Sequence, residues 1–265
     1  MSCPLPPELL DHIVDHLHDE PSALRACCIV SRSWVPRARI HLFARVKFRT
    51  SIFPIESWMK IFPDPSNSPA CYTRTLVIHG GALVIAAGTD AGRWIRAFHD
   101  IVNLHINTYG LLGNIQFSLI PFHGLSPTIR SLHLELSFAR PSEIFGLMFS
   151  FPLLEDFALL IFGYGNEVGE WTAPLTSPRL TGSLDLGSRG YVGGIGRITR
   201  PLLELPNGLN FTKVGLTLAD ETDFGSTTNL VSGCSKTLES LSINDYVPGV
   251  FPSVLMPDVM SYRHT

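Results

Sequence analysis

The chain is poor in charge. Only 16% of its 265 residues are Asp, Glu, Lys or Arg, and 20 basic against 23 acidic side chains leave a net charge of −3. Non-specific grip on nucleic acid needs a basic field, so the balance argues against that class of partner. No apolar run is long enough to cross a bilayer. The longest, TLVIHGGALVIAAG at 75–88, is short for that purpose and carries His79 and three glycines. Prolines and acids stand where a secretory signal would put a basic stretch and then an apolar one. Cysteine is scarce: five residues, odd in number and irregularly spaced, give no disulfide framework. Reduced thiols in cytoplasm or nucleus are the expectation. There the Asn210-Phe211-Thr212 sequon would be silent.

Catalytic signatures are missing too. There is no G-x-S-x-G elbow and no Gly-Lys-Ser/Thr phosphate loop. Gly190, Gly193, Gly194 and Gly196 follow a strand pattern, but Arg197-Ile198-Thr199-Arg200-Pro201 is a poor helix start, so 187–196 reads as a flexible loop. His12 and His16 share a helix face beside Asp15. The run H-I-V-D-H lacks the Glu of zinc-protease helices, so no metal is expected there. Acids and histidines elsewhere show no cluster along the chain. Neither an enzymatic activity nor a cofactor is expected.

What is present is a 45% apolar composition, enough for a sizeable core, and two kinds of pattern. The first occupies residues 1–50. Pro6 and Pro7 suit a helix start, where proline needs no amide donor, and Glu8 matches the helix dipole. Leu9, Leu10, Ile13, Val14 and Leu17 form an apolar stripe. Pro21 breaks that helix, and Ser22 is a suitable cap for a second one, apolar on most sides, with Leu24, Cys27, Cys28, Ile29 and Val30. Val35-Pro36 opens a third helix with Ile40, Leu42 and Phe43. So small a bundle buries little of its surface and needs a neighbour. Acids crowd residues 1–20 and bases crowd 21–55.

The leading Leu-Pro, the Val-Ser-Arg-x-Trp run at Val30–Trp34 and the closing Leu-Phe resemble an F-box. That resemblance implies docking on the Skp-type linker protein of a cullin–RING ubiquitin ligase, and through it on a cullin. It implies that Leu5, Pro6, Leu9, Ile13, Leu17, Val30 and Trp34 form or support the linker-binding surface. The remaining alternative is a plain helical cap.

The second pattern starts near residue 70. Leu76-Val77-Ile78, Leu104-His105-Ile106, Leu132-His133-Leu134, Phe157-Ala158-Leu159, Leu184-Asp185-Leu186, Leu216-Thr217-Leu218 and Leu241-Ser242-Ile243 recur at intervals of 28, 28, 25, 27, 32 and 25. Ile101, Ile129, Leu154 and Leu238 extend four of these to L-x-x-L-x-L, which resembles the strand segment of a leucine-rich repeat. Each unit would be a short strand with alternate residues inward, and stacked units would make a continuous core. The usual Asn or Cys after the strand is replaced by Gly81, Tyr109, Ser137, Phe162, Arg189, Glu221 and Tyr246, so the turn backbone must be satisfied otherwise. An ordinary α/β domain sharing the Leu-x-Leu pattern is the competing reading.

The expected architecture is α/β: a three-helix F-box-like module (1–50), a proline-rich linker (51–70), and an irregular leucine-rich-repeat solenoid with a parallel sheet (71–265). The style resembles F-box proteins abundant in mushroom-forming fungi. It implies a substrate-recognition adaptor that holds an unidentified protein target, with no nucleic acid and no membrane as partner. Outward strand residues Val77, His105, His133, Ala158, Asp185, Thr217 and Ser242 would face the target. Of these, His105, His133, Asp185 and Thr217 are singled out as target-binding, with Tyr164, Trp171 and Tyr191 from long loops. The alternatives are a ligase-independent protein-binding solenoid capped by the helices, and an α/β hydrolase-like enzyme.

Overall fold

The computed structural model describes residues 6–49, 54–79, 94–108, 119, 122–123, 125–137, 140–162, 180–188, 195–205, 207–218 and 223–245. Three helices come first: α1 (Pro7–His16), α2 (Pro21–Val30) and α3 (Val35–Leu42). Pro7, Pro21 and Pro36 all lie in first turns, where a missing N–H costs nothing. Pro21 therefore starts α2, with Glu20 before it, and Ser22 is not the cap. The bundle has its own small core of Val14, Leu24, Cys27 and Ala38, with Leu17, Cys28, Trp34 and Leu42 packed against it. A polar tie joins α1 to α3. The Arg37 guanidinium donates twice to the Asp15 carboxylate at 2.6 Å, and His41 Nε2 lies 2.7 Å from the same group. Arg37 and His41 hold the Asp15 carboxyl well below the usual carboxylate range.

Among the described residues eight strands follow: β1 (Arg45–Arg49), β2 (Thr75–His79), β3 (Asn103–Asn107), β4 (Ser131–Leu136), β5 (Asp156–Ile161), β6 (Ser183–Ser188), β7 (Lys213–Leu218) and β8 (Ser240–Asp245). They form one sheet in chain order, and every pair is parallel. Successive strands are offset by 30, 28, 28, 25, 27, 30 and 27 residues. Equivalent side chains thus stack directly. Leu76, Leu104, Leu132, Phe157, Leu184 and Val214 form one inward row, and Ile78, Ile106, Leu134, Leu159, Leu186 and Leu216 form the next. All of them are buried, each contributing about 1.5–3 kcal/mol of apolar burial.

Helices α4 (Ile55–Ile61), α5 (Pro141–Phe149), α6 (Gly196–Leu203) and α7 (Asp223–Cys234) lie between strands. Their buried residues, among them Trp58, Phe145, Leu202 and Leu230, share a single core with the inward rows. Among the described residues no helix is long and apolar enough to cross a membrane.

Four expectations need correction here. The expected helical module, 1–50, includes the residues of β1. Their alternation of buried Val46 and Phe48 with Arg45, Lys47 and Arg49 makes them the first strand of the sheet. Three cations also suit an edge strand, because charge discourages pairing with another chain. The expected linker spans 51–70, and its described part, from 54, runs through α4 and into two short 3₁₀ turns that end at Tyr72. The prolines start those turns, Asp64 and Ser68 cap them, and Ile55, Trp58 and Ala70 are buried in the main core. Residues 197–201, expected to make a poor helix start, lie in α6 despite Pro201, because Ile198, Thr199, Pro201 and Leu202 are buried on one side. Of the expected loop 187–196, residues 189–194 lie outside the described residues. Asp223 at the start of α7 accepts the Ile195 N–H at 3.1 Å.

The fourth correction concerns register. Val214-Gly215-Leu216, not Leu216-Thr217-Leu218, aligns with Leu184-Asp185-Leu186. With Val214 as the reference, the irregular interval of 32 disappears.

After β3 and β4, and ahead of β3 and β7, side-chain hydroxyls bond the backbone of neighbouring segments. Thr108 Oγ1 accepts the Ser137 N–H at 2.9 Å, and Ser137 Oγ donates back to the Thr108 carbonyl at 2.9 Å. Ser126 and Thr128 bond the Ile101 carbonyl, and Thr237 bonds that of Phe211.

Candidate functional site on the outward sheet face

Residues alternate sides along a strand, so each strand sends residues two apart to the outward face. On β1 to β4 this face is polar. One row runs Lys47, Val77, His105, His133, and the next runs Arg49, His79, Asn107, Glu135. Val77, expected to face a partner, is the exception, being buried at 2% exposure.

The centre of this surface is a compact set. His105 on β3 and His133 on β4 are register partners with ring centroids 4.2 Å apart. Glu135, two residues beyond His133, shares its face. Glu135 Oε1 lies 3.2 Å from His133 Nε2 and 3.5 Å from His105 Nε2. Asn107, the register partner of Glu135, donates to Oε2 through Nδ2. His79 extends the line, its ring centroid 5.8 Å from that of His105.

Burial governs the electrostatics. Glu135 is only 8% exposed. Burial alone would raise its carboxyl, but the two imidazoles more than offset that and hold it well below the usual range. Burial pushes His105 down, against the pull of Glu135. It pushes His79 down to about 4, with Lys47 adding to the effect. Lys47 is lowered by burial and then by the neighbouring Arg49 and Arg45.

On β5 to β7 the same face is smaller in side chain. Ala158, Asp185 and Gly215 continue one row, and Leu160, Gly187 and Thr217 the other. The structure therefore brings His105 and His133 together, but Ala158 separates His133 from Asp185. Thr217 lies in the row of Glu135 rather than that of Asp185. Tyr164, Trp171 and Tyr191 lie outside the described residues. Lys47, His79, Asn107 and Glu135 were not singled out in the sequence. The i, i+2 rule from His105 and His133 would have found Asn107 and Glu135, and with them a cluster invisible along the chain.

The second surface is on the helices. Leu9 (49%), Ile13 (44%), Ile29 (87%) and Val30 (69%) are exposed. Leu9 and Ile13 are four apart on α1 and share a face. Pro6 is exposed before α1, whereas Leu17 and Trp34 are half-buried against the small core. Leu5 lies outside the described residues. No protein-family model matches this chain, and no curated protein matches it.

Proposed function

We propose that this chain is a substrate-recognition adaptor. Its N-terminal helices would form an F-box that docks a Skp-type linker and through it a cullin. Its stacked strands would be an irregular leucine-rich-repeat array that holds a protein target on the outward face. The observation that carries this reading is the exposed apolar set Leu9, Ile13, Ile29 and Val30 on a module whose own core is four residues. Apolar side chains on so small a bundle call for a partner. The strand offsets of 25–30 residues support the repeat reading. In this role the chain performs no chemistry, and it speeds ubiquitin transfer by raising the effective concentration of the target.

One observation favours a second reading, a ligase-independent binding protein with a helical cap. Phe43, just after α3, meets Trp58 edge-on at 5.9 Å, so the helices are packed on the β1 end of the core. Co-purification separates the two. The full chain should carry the Skp-type linker and cullin with it, through an interface on the order of 1,200–2,000 Å². Leu9→Asp with Ile13→Asp should abolish that association and leave the sheet folded, because the sheet has its own core. Linker binding unchanged in the double variant would sink the adaptor reading. Absence of binding by the natural chain would favour the cap.

A further inference from the structure

We propose that His105, His133 and Glu135 bind a divalent transition-metal ion of the zinc class on the outward sheet face, with a fourth coordination position left for water or an incoming group. This goes beyond the adaptor reading and does not depend on it.

The donor set comes first. Two imidazole nitrogens and one carboxylate oxygen form the three-ligand combination that suits zinc in an open site. Their spacing agrees. In a tetrahedral centre with bonds of about 2.0–2.1 Å, ligand atoms sit about 3.3 Å from one another. Glu135 Oε1 lies 3.2 Å from His133 Nε2 and 3.5 Å from His105 Nε2, and the three ligand atoms all fall within 4.8 Å of one another.

A plain histidine–carboxylate hydrogen bond accounts for His133 at 3.2 Å but less well for His105 at 3.5 Å. Charge-assisted hydrogen bonds close to about 2.7–2.9 Å. The same molecule offers a comparison, since His41 approaches Asp15 to 2.7 Å in the helical module. Both imidazoles of the sheet stop short of that distance from one shared oxygen.

The surroundings also favour an ion. His105 and His133 are register partners on neighbouring strands, and Glu135 stands two residues along β4 on the same face, so the backbone fixes their relative positions. Asn107 occupies Oε2 of Glu135 and leaves Oε1 turned to the imidazoles, an outer-shell role common around metal ligands. Glu135 is buried, and a buried carboxylate calls for a counter-charge. On the β5 side the register partner of His133 is Ala158, a small side chain. The His133 side chain keeps 35% of its surface open.

The test uses the full chain, stripped with chelator and titrated with Zn²⁺ by calorimetry. One saturating equivalent is expected. His133→Ala and Glu135→Gln should each weaken it at least ten-fold, and Asn107→Ala should weaken it about 10-fold through the outer shell. His12→Ala with His16→Ala removes the exposed histidine pair of α1 and should leave that equivalent intact. Co²⁺ provides a measurement that needs no variant: the natural chain should give the intense visible absorption of a four-coordinate ion. No saturable Zn²⁺ equivalent, binding undiminished in His133→Ala, loss of binding in the α1 variant, or only the weak spectrum of hydrated Co²⁺ would each overturn the proposal.

Discussion

The Asp185 carboxylate lies over the backbone of Gly215 on the next strand, so close that a Cβ at position 215 would sit 2.0 Å from Oδ1. With glycine there, the carboxylate can lie against the strand without moving. Asp185 is exposed as a residue, but desolvation of its carboxyl against the sheet, with Asp156 adding, pushes that group up, while His133 pulls it the other way. Gly215→Ala should displace this carboxylate and cost about 1–3 kcal/mol as local overpacking. In an Asp185→Ala background the same change should be neutral or stabilising, because alanine outperforms glycine in a strand interior. Urea unfolding of the four proteins in a double-mutant cycle reads the coupling. Additive effects would show that the two residues do not collide.

Trp58 is the hub of the β1 end. It is 2% exposed and meets Phe43, Phe48, Phe62 and Phe98 at centroid distances of 4.9–5.9 Å. Trp58→Ala should cost about 3–5 kcal/mol, the usual penalty for emptying an aromatic site. Trp34, only half-buried on the four-residue core, should cost less when changed to alanine. Chemical denaturation followed by far-UV circular dichroism compares them. A Trp34→Ala protein less stable than Trp58→Ala would reverse the assignment of the main core.

How much of this was legible in the sequence depends on what each residue answers to. The inward rows could be read because a period-2 aliphatic pair recurring about every 28 residues has few other structural solutions. β7 slipped by two because Val214, Leu216 and Leu218 satisfy the same pattern in either register. Only contact with β6 chooses between them. β1 was hidden because it follows α3 at once and its outward residues are all basic, so it read as the tail of a charged helix. The prolines of 51–70 suggest a linker, whereas Pro65 and Pro69 start short turns, the second of which buries Pro69 and Ala70. The His105–His133–Glu135 group was invisible for a geometric reason. Its members meet across strands 28 residues apart, and which face and which rung each occupies is decided by register.

Turn satisfaction by hydroxyls can be tested at Thr108, which is 2% exposed and accepts the Ser137 N–H. Thr108→Val keeps the shape and removes that acceptor. A buried donor left without its partner costs about 1–3 kcal/mol. Thr108→Ser retains the oxygen and should recover most of the loss. Equal stability of the valine and serine variants in urea would mean that the hydroxyl does not carry the turn.

The pH dependence of stability should carry the mark of His79. The unfolded imidazole titrates at its ordinary value of 6.5, and the folded one at about 4, because burial and then Lys47 disfavour the charged ring. Between those values the unfolded chain holds a proton that the folded chain lacks. Stability therefore rises with pH across the window and is lost as pH falls from about 6.5 toward about 4. His105 and His123 are also pushed down by burial and act in the same direction. The carboxyls of Glu135 and Asp15, held low in the folded state, contribute stability that disappears at still lower pH. His79→Gln removes one titrating ring from this set. In chelator-treated protein, urea midpoints measured across the window should fall with acid less steeply in His79→Gln than in the natural chain. An identical or steeper slope in the variant would show that the His79 ring is not held neutral by its place on the sheet.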